Sequence, residues 1–235
     1  MLNNGGHKKI VQILIDKGAD VNVKGSGYGN AFQAVLLGGH KKIVQILVDK
    51  SADVNIQGGL YGNALQTALI GGHRGIVQTF VDKGADVNAQ GGEYGNAFQA
   101  ALFQSRKKIV QVFVDEGADV NAQGGYYGNA LYTALFEGHK EIMQIFVDKG
   151  ADVNIQGGEY GNALQAASFQ GYKEIVQILV DKGADVNIQG GYYGNAFYAA
   201  LSEGHKKIVQ ILVDKGADVN GQGGLYGNAF YAALY

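Results

Sequence analysis

The sequence predicts an all-α solenoid, a stack of helix–turn–helix units joined by extended finger loops at a 33-residue period. Three observations carry this reading. The asparagine of a Tyr-Gly-Asn triplet recurs at Asn30, Asn63, Asn96, Asn129, Asn162, Asn195 and Asn228, each 33 residues after the last. The aspartate of an Ala-Asp-Val-Asn segment keeps the same phase at Asp20, Asp53, Asp86, Asp119, Asp152, Asp185 and Asp218. The 38 glycines, which as a bare number would suggest low complexity, sit at fixed places within that period, and the chain has no proline. A fixed spacing of this size marks supersecondary units stacked on one another.

Each element of the unit follows from its residues, as the copy beginning at Asn162 shows. Asn162 suits a helix N-cap, because its side-chain oxygen can accept an orphan backbone N–H. The run 163–170 that follows is a short helix of good formers, stopped by Gly171. A second helix is expected over about 173–182, where Ile175, Val176, Ile178, Leu179 and Val180 give an apolar stripe too wide for a freely exposed helix. Gly183 closes it. Residues 184–194 then form an extended finger that reverses at Gly190-Gly191 and leads to the next asparagine. Helices this short are marginal alone, so stacking on neighbouring units must supply their stability.

The segment Gly204 to Asn220, Gly-His-Lys-Lys-Ile-Val-Gln-Ile-Leu-Val-Asp-Lys-Gly-Ala-Asp-Val-Asn, closely resembles the second helix and exit of the ankyrin repeat, and the resemblance extends over nearly the whole chain. The first helix departs from the family's usual Thr-Pro-Leu-His opening and reads Asn-Ala-Leu-Gln or Asn-Ala-Phe-Tyr. Asn replaces Thr as cap, Ala replaces Pro at the first helical position, and Gln or Tyr stands in for His, so the family's Thr–His hydrogen bonding must be made differently, with Gln the candidate. The finger glycine is displaced by one place, to Gly161 after Tyr160. This variant is similar to ankyrin arrays of fungal proteins.

One array is expected over 1–235: a half-repeat and finger at 1–29, six full periods over 30–227, and a half-repeat at 228–235. The first helical segment, about 8–17, lacks a preceding partner, and the chain stops within a first helix at Tyr235. The expectation is a piece of a longer protein, or ends covered by a partner or another copy. In the latter case Ile10, Val11, Ile13 and Leu14 would meet Phe230, Ala233 and Leu234 in head-to-tail self-association.

Chemistry-bearing patterns are few. With no cysteine, disulfides, thiolate metal sites and cysteine nucleophiles are excluded. A net charge of −2 gives no field favouring nucleic acid or anionic membrane, and no apolar run reaches the roughly 20 residues of a membrane span. The expected location is cytoplasmic. His7, His40, His73, His139 and His205 share one place before the second helix, but Arg106 and Tyr172 also fill it, so no metal geometry is kept. The serines Ser26, Ser51, Ser105, Ser168 and Ser202 lie in no nucleophile elbow, and the carboxylate file of Asp49, Asp82 and Asp115 reads as a solvated face. The basic pairs at second-helix starts are interrupted by Glu141 and Glu174. No catalysis, cofactor, metal or nucleic-acid partner is expected.

Binding is expected instead. Family resemblance implies contact through finger tips and the exposed face of the first helix, which together line a concave groove. Variation among the copies falls there: Gly27, Leu60, Glu93, Tyr126, Glu159, Tyr192 and Leu225 before the repeated tyrosine, and Leu37, Ile70, Phe103, Phe136, Phe169, Ser202 and Tyr235 late in the first helix. The place after varies too, with Gln104, Glu137, Gln170 and Glu203. Rigid aromatics make large contacts at low entropy cost. The candidate partner-binding residues are therefore Glu93, Phe103, Tyr126, Tyr127, Phe136, Glu159, Phe169 and Tyr192, for an unidentified protein partner. The repeated tyrosines, such as Tyr160 and Tyr193, are assigned mainly to finger-to-finger packing.

Overall fold

A capped asparagine, seven helical residues and a left-handed glycine recur through the computed structural model, which describes residues 4–25, 27, 29–50, 52–136, 138 and 140–234. Ser26, Ser51, Glu137, His139 and Tyr235, singled out above, lie outside the described residues. The chain divides into two compact units, Met1–Ala118 and Asp119–Tyr235.

The first unit holds α1 (Asn4–Asp16), α2 (Ala31–Leu37), α3 (Lys41–Asp49), α4 (Ala64–Ile70), α5 (Arg74–Asp82), α6 (Ala97–Phe103) and α7 (Lys107–Asp115). First helices of successive repeats pack side by side, α2 on α4 and α4 on α6, and each is backed by the second helix of its own repeat. Helix α1 starts at Asn4, four residues before the expected Lys8, so that Gly5-Gly6, equivalent to Gly38-Gly39, lies within it. The core is built from Phe32, Leu36, Leu65, Leu69, Phe80, Phe98, Leu102 and Phe113, all fully buried. Burying each side chain of this size contributes about 1.5–3 kcal/mol.

The second unit repeats the plan with α8 (Ala130–Phe136), α9 (Lys140–Asp148), α10 (Ala163–Phe169), α11 (Lys173–Asp181), α12 (Ala196–Ser202), α13 (Lys206–Asp214) and α14 (Ala229–Leu234). Here α10 packs between α8 and α12, and α12 reaches α14. Helices α10 and α11 match the sequence expectation to within one residue.

The caps explain the boundaries. Asn162 adopts an extended conformation, and its side chain accepts from the Gln165 N–H at 2.9 Å. At the far end of α11 the Ala184 N–H reaches the Leu179 carbonyl at 2.9 Å and the Gly183 N–H reaches Val180 at 3.1 Å. This double bond pattern requires the left-handed turn that Gly183 supplies at φ +89°. The first helix closes in the same way: His205 N–H bonds the Ala200 carbonyl, and Tyr172 N–H bonds Ala167. The repeated histidine place is thus the residue just after the left-handed turn residue, glycine in most repeats and Ser105 before Arg106, which is why Arg106 and Tyr172 can occupy it.

Two hydrogen-bond ladders join neighbouring repeats. At the exit turns Asp185 N–H donates to Asn154 Oδ1 and Asp218 N–H to Asn187 Oδ1, each at 2.8 Å, while each aspartate accepts from the backbone N–H two residues on. Under the fingers, Gln66 accepts from Asn63 N–H at 2.8 Å and donates to the Gly91 carbonyl of the next repeat at 2.7 Å. Gln165 donates to the Ile188, Gly190 and Gly194 carbonyls, each at 3.1 Å. Glutamine therefore does the bridging that the unusual first helix left to be assigned, and Tyr198, at the same place, reaches the Gly221 carbonyl with its hydroxyl.

Candidate functional site

The fingers are closed by a recurring backbone bond. Gly157 N–H donates to the Gly161 carbonyl at 2.8 Å, and Gly124 and Gly190 do the same to Gly128 and Gly194. The second glycine of each pair turns the chain with positive φ, as at Gly158 (+72°) and Gly191 (+60°). At Gly191 an added Cβ would also collide with the Tyr160 backbone, so glycine is needed there for conformation and for close approach of adjacent fingers. Adjacent tips are linked as well: Tyr192 N–H bonds the Glu159 carbonyl at 3.3 Å, and Leu225 N–H bonds Tyr192 at 3.1 Å.

This closure puts the residue before the repeated tyrosine at the tip and folds the tyrosine back over its own first helix. Tyr127 lies 4.8 Å from Phe136 between ring centroids, and Tyr160 lies 4.8 Å from Phe169. In the first unit Tyr94 meets Phe103 at 4.9 Å. The rings also stack along the second unit. Tyr160 and Tyr193 are nearly parallel at 6.0 Å, Tyr193 and Tyr226 follow at 6.2 Å, and Phe169 packs on Tyr193 at 4.9 Å. Finger-to-finger packing by the repeated tyrosines is what these contacts describe.

The candidate residues thus divide by unit and by role. Tyr126 and Tyr192 are 77% and 52% exposed and stand edge-on to Tyr127 and Tyr193, at interplanar angles of 87° and 83°. Glu159 is exposed beside them. Phe136 remains 40% exposed, but it and the half-buried Phe169 are members of the stack as well as surface. Glu93 is exposed and Phe103 half-buried in the first unit. Sequence comparison missed Tyr132, which lies at the place of the bridging glutamine and joins Tyr127 at 6.2 Å to Tyr160 at 6.4 Å. The signal was present as the exchange of Gln for Tyr at 132, 198 and 231.

Electrostatics follow from this packing. Burial, with the neighbouring Tyr160 and Glu159 adding to it, pushes the Tyr132 hydroxyl up to about 12, against a partial offset from the Tyr160 N–H that it accepts. Burial and the Glu203 carboxylate push Tyr193 to about 12 as well. Tyr160 and Tyr94 are raised by the same causes, burial first and then Glu159 or Glu93. These phenols stay neutral and bond as hydroxyls at physiological pH.

Several of the patterns set aside in the sequence have structural partners. Asp49, Asp82 and Asp115 accept from Gln45, Gln78 and Gln111 on the same helices at 2.7, 2.9 and 2.8 Å. Asp181 is bonded by Gln177 and then by Lys215, which together hold its carboxyl below the usual range. His205 Nε2 lies 2.9 Å from the Phe169 carbonyl of the preceding repeat. Ser168 is buried, and Ser202 donates to the Ala199 carbonyl at 3.0 Å. Among the described residues no group of three or more His, Asp or Glu is placed to hold a metal, and no helix is long and apolar enough to cross a membrane.

Comparison with known proteins bears on the whole array. A family model described as ankyrin repeats (3 copies) matches residues 1–91, 97–190 and 131–223. Among solved structures the chain is similar to the ankyrin repeat domain of Bcl-3, a member of the IkappaB protein family, with TM-score 0.71 and 22% identity over 87% of this chain and 93% of that one. The human ASB11 ankyrin repeat domain gives TM-score 0.70 and 20% identity over 87% and 92%. At such identities the likeness is one of fold. No curated protein matches by sequence.

Proposed function

The chain belongs to the ankyrin repeat family, and on that premise we propose that it is a protein-interaction scaffold, not an enzyme, which docks a protein partner on its finger and first-helix side. Ankyrin repeat domains are generally protein-interaction modules. In the second unit the proposed contacts are Tyr126, Tyr127, Phe136, Glu159, Phe169 and Tyr192. In the first unit they are Glu93 and Phe103. The observation that carries this reading is the placement of Tyr126 and Tyr192, large rings exposed at finger tips that backbone bonds and ring stacking hold rigid. A rigid exposed aromatic loses little entropy on binding, which is the usual character of an interface anchor.

The test replaces the two exposed rings, not the stacked ones. A protein retained on the immobilised wild-type chain should be lost from Tyr126→Ala/Tyr192→Ala, whose circular dichroism and thermal midpoint stay at wild-type values. Equal retention by the variant would sink this placement.

A second reading, head-to-tail association of copies, is favoured by the exposed apolar faces of α1 (Ile10, Ile13, Leu14) and α14 (Phe230, Leu234). Sedimentation over rising concentration discriminates, since a strict monomer would remove it.

A further inference from the structure

We propose that the cleft between the finger at 124–128 and the finger at 157–161 receives a basic side chain, lysine or arginine, presented by the docked partner. This rests on the reading of the finger side as the partner-facing surface and specifies its chemistry. The cleft has a volume of about 280 Å³ and is lined by Tyr126, Tyr127, Tyr132, Phe136, Gly158 and Glu159. Its walls are ring surfaces set at different angles: Tyr126 is edge-on to Tyr127 at 5.0 Å, and Phe136 and Tyr132 lie 4.8 and 6.2 Å from Tyr127 at 32° and 36°. Ring faces carry negative potential and attract a cation held within about 6 Å of the centroid, while the same rings pack on the aliphatic stem of a Lys or Arg side chain. Glu159 adds a full negative charge at the rim.

Charge is segregated around this cleft. In residues 119–235 every lysine lies in α9, α11 or α13 or at the residue that caps them, and there is no arginine. The fingers and first helices of that unit carry only acidic charge, including Glu159 and Glu203. A cation approaching this side meets no like charge on the elements that form the cleft.

The protein contains its own comparison. Tyr192 and Tyr193 form a second right-angled pair at 5.1 Å, but the place of Phe136 is taken there by Ser202 and the place of Glu159 by Leu225. That corner lacks a ring at 202 and a carboxylate at its tip, while Phe169 packs 4.9 Å from Tyr193 and Glu203 acts on it from the first-helix side, so tighter cation binding is expected at 126–159 than at 192–225.

The full chain is titrated with the blocked peptide Gly-Ser-Lys-Ser-Gly and its versions with arginine, Nε-trimethyllysine or norleucine at the centre, while backbone and aromatic NMR shifts are followed. Saturable shifts at 124–136 and 157–160 with the cationic peptides, and not with norleucine, are the expected result. Glu159→Gln should weaken lysine binding roughly 3-fold and Tyr126→Ala roughly 10-fold. The trimethyllysine and arginine arms report which cation fits best, and either preference supports the proposal. Norleucine binding as tightly as lysine at these residues would overturn the cation chemistry while leaving the docking surface standing. Cationic peptides shifting only α9 and α11, or giving no saturable shift at millimolar concentration, would overturn the proposal.

Discussion

Replacing Gln66 by alanine tests whether the bridging glutamine couples one repeat to the next. Gln66 is 1% exposed, and its two bonds differ in kind. The side-chain oxygen caps its own helix through Asn63 N–H, whereas the side-chain nitrogen crosses to the Gly91 carbonyl. Truncation leaves the buried Asn63 N–H without its acceptor, at a cost of about 1–3 kcal/mol, and forfeits roughly 1 kcal/mol of net bonding to Gly91, a half-buried carbonyl that water can reach. The expected loss is therefore about 2–4 kcal/mol, read as a lower urea midpoint, with faster amide exchange at Gly91. Gln66→Glu separates the two bonds, since a carboxylate still accepts from Asn63 but sets a negative oxygen against the Gly91 carbonyl. It should be as unstable as the alanine variant at neutral pH and recover in part where the carboxyl protonates. Gln78→Ala, which removes an exposed bond to Asp82 on the same helix, should cost only about 0.2–0.5 kcal/mol. A Gln66→Ala loss no larger than that would refute the coupling argument.

Four further outcomes follow from the backbone and the buried phenols. Ser105 adopts φ +57° where the other repeats place glycine, so Ser105→Gly should raise stability by about 0.5–1 kcal/mol in urea melts. Gly183→Ala, strained in φ but with open space for its methyl, should cost about 1–2 kcal/mol. Gly191→Ala, which also strikes the Tyr160 carbonyl, should exceed it and disturb the Tyr160–Tyr193 stack, seen as a change in near-ultraviolet dichroism. Tyr132 and Tyr193 have folded values near 12, above the ordinary 10.0, so the neutral phenol is the form the fold favours. Their contribution to stability is fully present below pH 10 and is lost as pH rises from there through about 12. Tyrosinate absorbance should show these two ionising last, together with unfolding.

Much of this fold was legible because its signals are local. Asn162 as cap, the glycines after each helix and the apolar run from Ile175 to Val180 each act over a few residues, and α10 and α11 end where those signals predict. The bridging role of glutamine was only half legible: the missing histidine posed the question, but the answer depends on where the next finger lies. Phe136 and Phe169 show the same limit more sharply. Their variation suggested free binding surface, yet each sits nine residues after a repeated tyrosine and folds onto it. That constant spacing is visible in the sequence, but contact depends on the finger doubling back through its glycine–glycine backbone bonding. The cleft at Tyr126 and Glu159 is less legible still, because its walls come from two different repeats.

The Asp–Asn ladder has a consequence for how such a chain can change length. Each rung joins one repeat to its immediate neighbour, from Asn121 to Asp152, from Asn154 to Asp185 and from Asn187 to Asp218. Excising residues 152–184 would bring Asp185 into the place of Asp152, and its N–H would find the Asn121 oxygen. Whole-copy gain or loss in the gene is therefore a small step for this architecture, while a shift of one residue between an asparagine and its aspartate breaks the rung that spans it. Slippage of the coding sequence by one full copy alters how many fingers are displayed and leaves the Asp–Asn rung between neighbouring repeats in register.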